Sequence, residues 1–97
     1  MTIEFHPAAK QELAETVEYY DNCAPGLGDD FITAIDEAVM RIDSFPLAWP
    51  QLSANTRRCR TSRFPYGVIY QLVEQKIYIV AVMHLHREPG YWQNRVN

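Results

Sequence analysis

Phe31, Ile35, Ala38, Ile42 and Phe45 are spaced by four, three, four and three residues, a single apolar stripe down one side of a helix. Asp36, Glu37 and Asp43 lie off the stripe, and Gly28-Asp29-Asp30 offers a start with acids near the positive end of the helix dipole. Upstream, Leu13, Val17 and Tyr20 recur at helical spacing with Ala9 one turn earlier, Pro7 is placed for a first helical turn, and Glu12, Glu15 and Glu18 are expected on the outer side. Cys23-Ala24-Pro25-Gly26 separates the two helices, so they form an antiparallel hairpin. A hairpin with one continuous apolar face must be covered by something else.

The rest of the chain supplies the cover. Thr2-Ile3-Glu4-Phe5-His6 alternates as a short half-buried strand does. Beyond a loop over residues 46–56, where Pro46 and Pro50 flank Trp49, three further strands are expected at 57–62, 66–73 and 76–86. Glu74-Gln75 is a tight hairpin connection, and the tail after Arg87 is short enough for one helical turn. The order β-α-α-β-β-β predicts an α+β fold: a helical hairpin on one face of a mainly antiparallel four-stranded sheet, the other face free for binding. Ninety-seven residues suit one domain spanning 1–97.

Composition excludes several classes. A hydrophobic share of 47% is too high for a disordered chain, and the longest apolar run, residues 77–83, is far below the roughly 20 that a membrane span needs. No basic start leads into an apolar stretch, so a cytoplasmic chain without a membrane partner is expected. Cys23 and Cys59 lack metal or redox spacing and are expected to act as small fillers; neither a metal nor a cofactor is expected. The net charge of −3 conceals an asymmetry. Residues 1–50 hold ten acids against Lys10 and Arg41, a balance of −8, whereas 51–97 hold seven bases against Glu74 and Glu88, a balance of +5. Such a chain can show a basic face to a polyanion or to an acidic partner, or its halves can neutralise each other.

Strand alternation selects the residues of that basic face. Arg58 and Arg60 share one side of their strand, and an unpaired Arg pair is costly to bury beneath helices, so both are expected on the open side. In the last strand the row Ile77, Ile79, Ala81, Met83 is expected to meet the helices. That leaves Tyr78, Val80, Val82, His84 and His86 with the arginines, and Arg87, Tyr91 and Trp92 follow close behind. Cutting RNA without a metal requires a base for the 2′-hydroxyl, an acid for the leaving oxygen and positive charge at the phosphorane. His84 or His86 are candidates for proton transfer, Arg58, Arg60 or Arg87 for charge, and Tyr91 for an acid or a stacking platform. The same two histidines also read as ordinary surface residues or an incomplete zinc pair, and the arginines as contacts for an acidic protein.

Residues 57–73, RRCRTSRFPYGVIYQLV, and 76–95, KIYIVAVMHLHREPGYWQNR, resemble the C-terminal half of the RelE/ParE toxin superfamily. The Phe64-Pro65-Tyr66 step into a strand, the His-x-His-Arg-x-Pro-Gly-Tyr-Trp ending, and the opening Phe5-His6-Pro7-Ala8-Ala9 before an acidic helix with Tyr19-Tyr20 carry the similarity over nearly the whole chain. The resemblance implies the toxin half of a type II toxin–antitoxin pair, the plasmid-stabilisation class, held inactive by a cognate antitoxin. It implies one of two targets: DNA gyrase, as for ParE-like members, or mRNA on the translating ribosome, as for RelE-like endoribonucleases. Against RelE-like members, Arg58 and Arg60 fall on paired basic positions, Arg87 on a basic position that assists cleavage, and Tyr91 near an aromatic of related role. Gly67 stands where those enzymes carry an important Arg, and lysine is scarce, only Lys10 and Lys76. A catalytically silent binding module of the same fold, acting only with its antitoxin, is the alternative. Antitoxins of these families commonly wrap such toxins, with Trp49, Trp92, Tyr91 and the outer face of the hairpin as possible anchors.

Overall fold

The computed structural model describes residues 1–96. In chain order it contains β1 (Thr2–Phe5), α1 (Pro7–Cys23), α2 (Leu27–Ser44), β2 (Gln51–Ser53), β3 (Thr56–Arg60), β4 (Tyr66–Val73), β5 (Lys76–His84) and a 3-10 turn at Gln93–Arg95. The α+β architecture expected from periodicity is present, with five strands rather than four, because three residues of the expected loop form β2. The sheet order is β1-β5-β4-β3-β2; β1 runs parallel to β5, and every other pairing is antiparallel. No helix among the described residues is long and apolar enough to cross a membrane.

Local chemistry sets the ends of the elements. His6 caps α1, its Nδ1 accepting the Ala8 N–H at 3.0 Å, and Pro7 fills the first turn. Between the helices Gly26 adopts φ +84°, which a side chain would resist, and so turns the chain into α2. The Asp21 carboxylate accepts the Gly28 N–H at 2.8 Å. A Cβ at Gly28 would lie 2.6 Å from that carboxylate, so the two helices meet closely only because position 28 has no side chain. Glu74 and Gln75 both take positive φ, as the expected tight hairpin between β4 and β5 requires.

Phe31, Ile35, Ala38 and Ile42 of the stripe are buried against Val68, Tyr70, Ile77, Ile79 and Val82 of the sheet. Phe45, expected to end the stripe, is instead 64% exposed; it caps α2 in a non-helical conformation that swings it off the buried side.

Two expectations about the sheet faces are corrected by β5. Ile69 of β4 pairs with Ala81 but Tyr70 pairs with Ile79, so Val80 is an extra residue, a β-bulge. One inserted residue exchanges the faces of everything beyond it. Ile77 and Ile79 meet the helices as expected, but so does Val82, whereas Val80, Ala81 and Met83 join a second cluster on the opposite face. That second face is not free for binding throughout: Trp92, Tyr91 and Val96 of the C-terminal segment pack over Ile69, Val80, Ala81 and Met83.

Candidate functional site

The geometry around the bulge is organised by Glu12. Beyond Ile79, β5 has no neighbour on its outer edge, because β1 ends at Phe5 and His6 N–H donates the last backbone bond, to the Ile79 carbonyl. Side chains replace the missing strand. The Glu12 carboxylate accepts the Val82 N–H at 3.0 Å, and Arg95 donates to the Val80 carbonyl at 3.2 Å. Arg95 also donates to Glu12 at 3.0 Å, and the Tyr91 hydroxyl donates to the other Glu12 oxygen at 2.8 Å. Arg87 stands 3.7 Å from that oxygen and lies over the Tyr91 ring, its guanidinium 3.6 Å from the ring centre. Glu12 and Arg95 have side chains only 12% and 15% exposed, so this carboxylate is largely withdrawn from water and compensated on all sides.

Glu12 was expected on the solvent side of its helix. Its step of three from buried Ala9 was the available signal, since that spacing sets it beside the apolar stripe rather than opposite it. What could not be read was the need for it, which arises only where β5 runs past the end of β1.

The six candidate residues are divided between two faces. Arg58 and Arg60 alternate with Cys59, which is buried on the helix side, so both point away from the helices, as expected. Arg60 is exposed, and its carbonyl accepts a bond from Arg41 at 2.9 Å. His84 is on the other side: the bulge turns it toward the helices, where its ring meets Tyr66 at 5.1 Å and lines a hollow with Glu12, Thr16, Tyr19 and Arg87. His86 follows beyond the strand; its ring is 5.4 Å from His84, and its N–H donates to His84 Nδ1 at 3.1 Å. The expected grouping of both histidines with the two arginines therefore does not form. Tyr91 is engaged by Glu12, and its phenol is held well above the usual range, first by burial and then by the hydrogen bond and charge of Glu12. A proton held this way is poorly placed to be given to a leaving group.

Arg58 and Arg87 do converge. They line a cleft of about 220 Å³ on the face away from the helices, with Leu52, Met83, Leu85 and Trp92 in its walls. Gly67, opposite Arg60 in register, lies under the stem of Arg58; a Cβ there would be 2.9 Å from both Cγ and Cδ of that side chain. Among the described residues no group of three or more His, Cys, Asp or Glu side chains is gathered for a metal ion. Cys59 is buried and Cys23 exposed, both as free thiols, and burial pushes the Cys59 thiol up.

Comparison with known proteins bears on this arrangement. A solved structure described as the chromosomal ParDE TA system from P. aeruginosa shares the fold, with a TM-score of 0.65 at 13% identity over 87% of this chain and 95% of that one. None of the curated proteins matches the sequence. The family profile for the ParE toxin of the type II toxin–antitoxin system parDE matches residues 3–89. With most of its length inside that profile, this chain belongs to the ParE family of type II toxins.

Proposed function

We propose that this toxin arrests growth by docking on DNA gyrase, not by cutting mRNA on the ribosome, and that a cognate antitoxin neutralises it. The observation that carries this reading is the division of the candidate groups. A metal-independent nuclease needs base, acid and positive charge around one phosphate. Here His84 faces the helices in a hollow shared with Arg87, Tyr91 is bound to Glu12, and Arg58 and Arg60 point away on the opposite face, so the groups do not surround one phosphate. Membership of the ParE family supports the same choice of target.

The antitoxin has a surface suited to it. An apolar groove of about 510 Å³ runs between the helices, lined by Phe5, Leu13, Ala14, Val17 and Ile32 with Lys10 at its rim. An amphipathic segment that folds on binding would cover it. Of the anchors expected from sequence, Trp92 is buried and Trp49 half-buried, so the hairpin face is the better candidate.

Two assays on the purified chain separate the readings. Supercoiling of relaxed plasmid by gyrase is expected to stop in its presence and to resume when the antitoxin is added. Primer extension on an mRNA translated in a reconstituted system is expected to show no new cuts. Ribosome-dependent cuts with unaffected supercoiling would overturn the gyrase reading in favour of the nuclease. Inactivity in both, with tight antitoxin binding and no growth arrest on expression, would favour a silent binding module.

A further inference from the structure

The cleft beside the bulge is lined by Arg58, Arg87 and the ring of Trp92. Trp92 is 4% exposed, yet its indole N–H, among the described residues, has no acceptor. A buried donor without a partner is a costly feature of a fold. Arg58 makes no side-chain hydrogen bond or ion pair with any described residue, and Arg87 has the 3.7 Å approach to Glu12 and the Tyr91 ring beneath it. Two cationic side chains and the ring of Trp92 thus line one small cleft.

We propose that this cleft receives a carboxylate side chain, carried between apolar residues, from a protein partner of the toxin. The inference rests on the reading of the chain as a toxin that works by docking on a protein, and it names the group recognised. A guanidinium can satisfy both oxygens of a carboxylate, and the apolar walls from Leu52, Met83 and Leu85 suit flanking aliphatic side chains.

The remaining arginines decide against a nucleic acid. Arg41 donates to the Arg60 carbonyl, Arg57 to the Leu47 and Trp49 carbonyls, and Arg63 approaches Asp30, while Arg95 is bound to Glu12. Only Arg58, Arg60 and Arg87 remain for a ligand on this face, too few for a track of phosphates on a chain of net charge −3. The nearby aromatic, Tyr91, already has Arg87 over its ring and offers no open platform for a base.

Gly67 acquires a role on this reading. The Arg58 stem crosses it at a distance that a methyl group would not permit, so Gly67 is a positioning residue that seats Arg58 at the cleft. An arginine at position 67 would occupy the space that the Arg58 stem uses.

The test is nuclear magnetic resonance on the full-length 15N-labelled chain, reading the two indole N–H signals. The probes are the peptide acetyl-Leu-Glu-Leu-amide, its Gln counterpart and hexauridylate. The Glu peptide is expected to move the Trp92 signal and to leave that of Trp49, whose N–H already points to the Arg41 carbonyl at 3.4 Å. The Gln peptide should bind about tenfold more weakly, a difference near 1.4 kcal/mol. Arg58→Ala should abolish the response, Arg58→Lys should retain part of it, and Gly67→Ala should weaken it, each with an unchanged free-state spectrum elsewhere. A Trp92 signal unmoved by the Glu peptide up to about 10 mM, or equal responses to the Glu and Gln peptides, would overturn the proposal. So would a stronger response to hexauridylate, which would assign the cleft to nucleic acid. Peptide binding by a chain that leaves gyrase untouched would support the cleft while removing the gyrase reading.

Discussion

The two halves of β5 are built by different means. From Lys76 to Ile79 the strand has β1 on one side and β4 on the other, and its backbone groups are paired by backbone. From Val80 to His84 it has only β4, and its outer edge is completed by the carboxylate of Glu12 and the guanidinium of Arg95. A neighbouring strand satisfies an edge through the regular ladder whatever its side chains are. An edge satisfied by side chains depends on two particular residues and on the segment that carries one of them. The first half is therefore expected to tolerate substitution of its charged neighbours, and the second is not.

The largest expected effect is that of Trp92→Ala, which empties the centre of the second apolar cluster and loosens the segment carrying Arg95. Loss of a buried Trp costs about 4 kcal/mol, so the midpoint of thermal unfolding should fall by roughly 20 °C. A fall of only a few degrees would mean that the C-terminal segment contributes little, and the contrast between the halves would weaken.

Glu12→Ala comes next. It leaves the Val82 N–H without its acceptor and Arg95 charged and largely buried. Removing one member of such a buried pair costs about 3 kcal/mol. Urea unfolding checks the value, and hydrogen exchange should show the Val82 amide opening well before that of Ile79. Equal protection at the two amides would show that Glu12 is dispensable to the edge.

Alkaline pH sharpens the comparison, because each half is served by a tyrosine whose phenol is raised. Tyr70, paired with Ile79 and donating to the Pro46 carbonyl, has its phenol pushed from 10.0 to about 12, chiefly by burial. Tyr91 is shifted in the same direction. A raised folded-state value means that the folded chain holds the proton after the unfolded chain has released it. The stability this gives is complete below about pH 10 and is lost as pH rises through about 12. Denaturation midpoints measured from pH 8 to 12 should be flat and then fall. Tyr70→Phe should shallow the fall, and adding Tyr91→Phe should shallow it further.

The smallest effect belongs to Glu4→Ala. Glu4 meets Lys76 at 3.3 Å in the doubly paired half, with both side chains substantially exposed. Such a pair contributes at most about 0.5 kcal/mol. A loss comparable to that of Glu12→Ala would sink the distinction between the halves.

Much of the fold was legible because it rests on repeating patterns. The stripe from Phe31 to Ile42 is repeated over several turns, so one exception such as Phe45 does not hide it. The candidate site was less legible. Arg58 and Arg60 were assigned to the correct face because their strand is regular, and burying both would have been costly. His84 was assigned to the wrong face because Val80 adds a residue that pairs with nothing, and an aliphatic at a bulge looks like an aliphatic in a ladder. Gly67 was read as the absence of an arginine, whereas in the fold it is the space under another arginine.

The amino-acid sequence by itself determined the helical hairpin, the strands beginning at residues 66 and 76 and the tight turn between them. Each follows from neighbours along the chain, whose propensities and spacing act locally. Only the tertiary structure decided that β1 stops beside Ile79, that Glu12 and Arg95 complete the edge beyond it, and that Trp92 closes the second face over a cleft lined by Arg58 and Arg87. The Glu12–Val82 and Glu12–Arg95 bonds join residues 70 and 83 positions apart. Nothing in the spacing of one segment can report where a distant segment ends, and the unpaired backbone left at that point is what selects its partners.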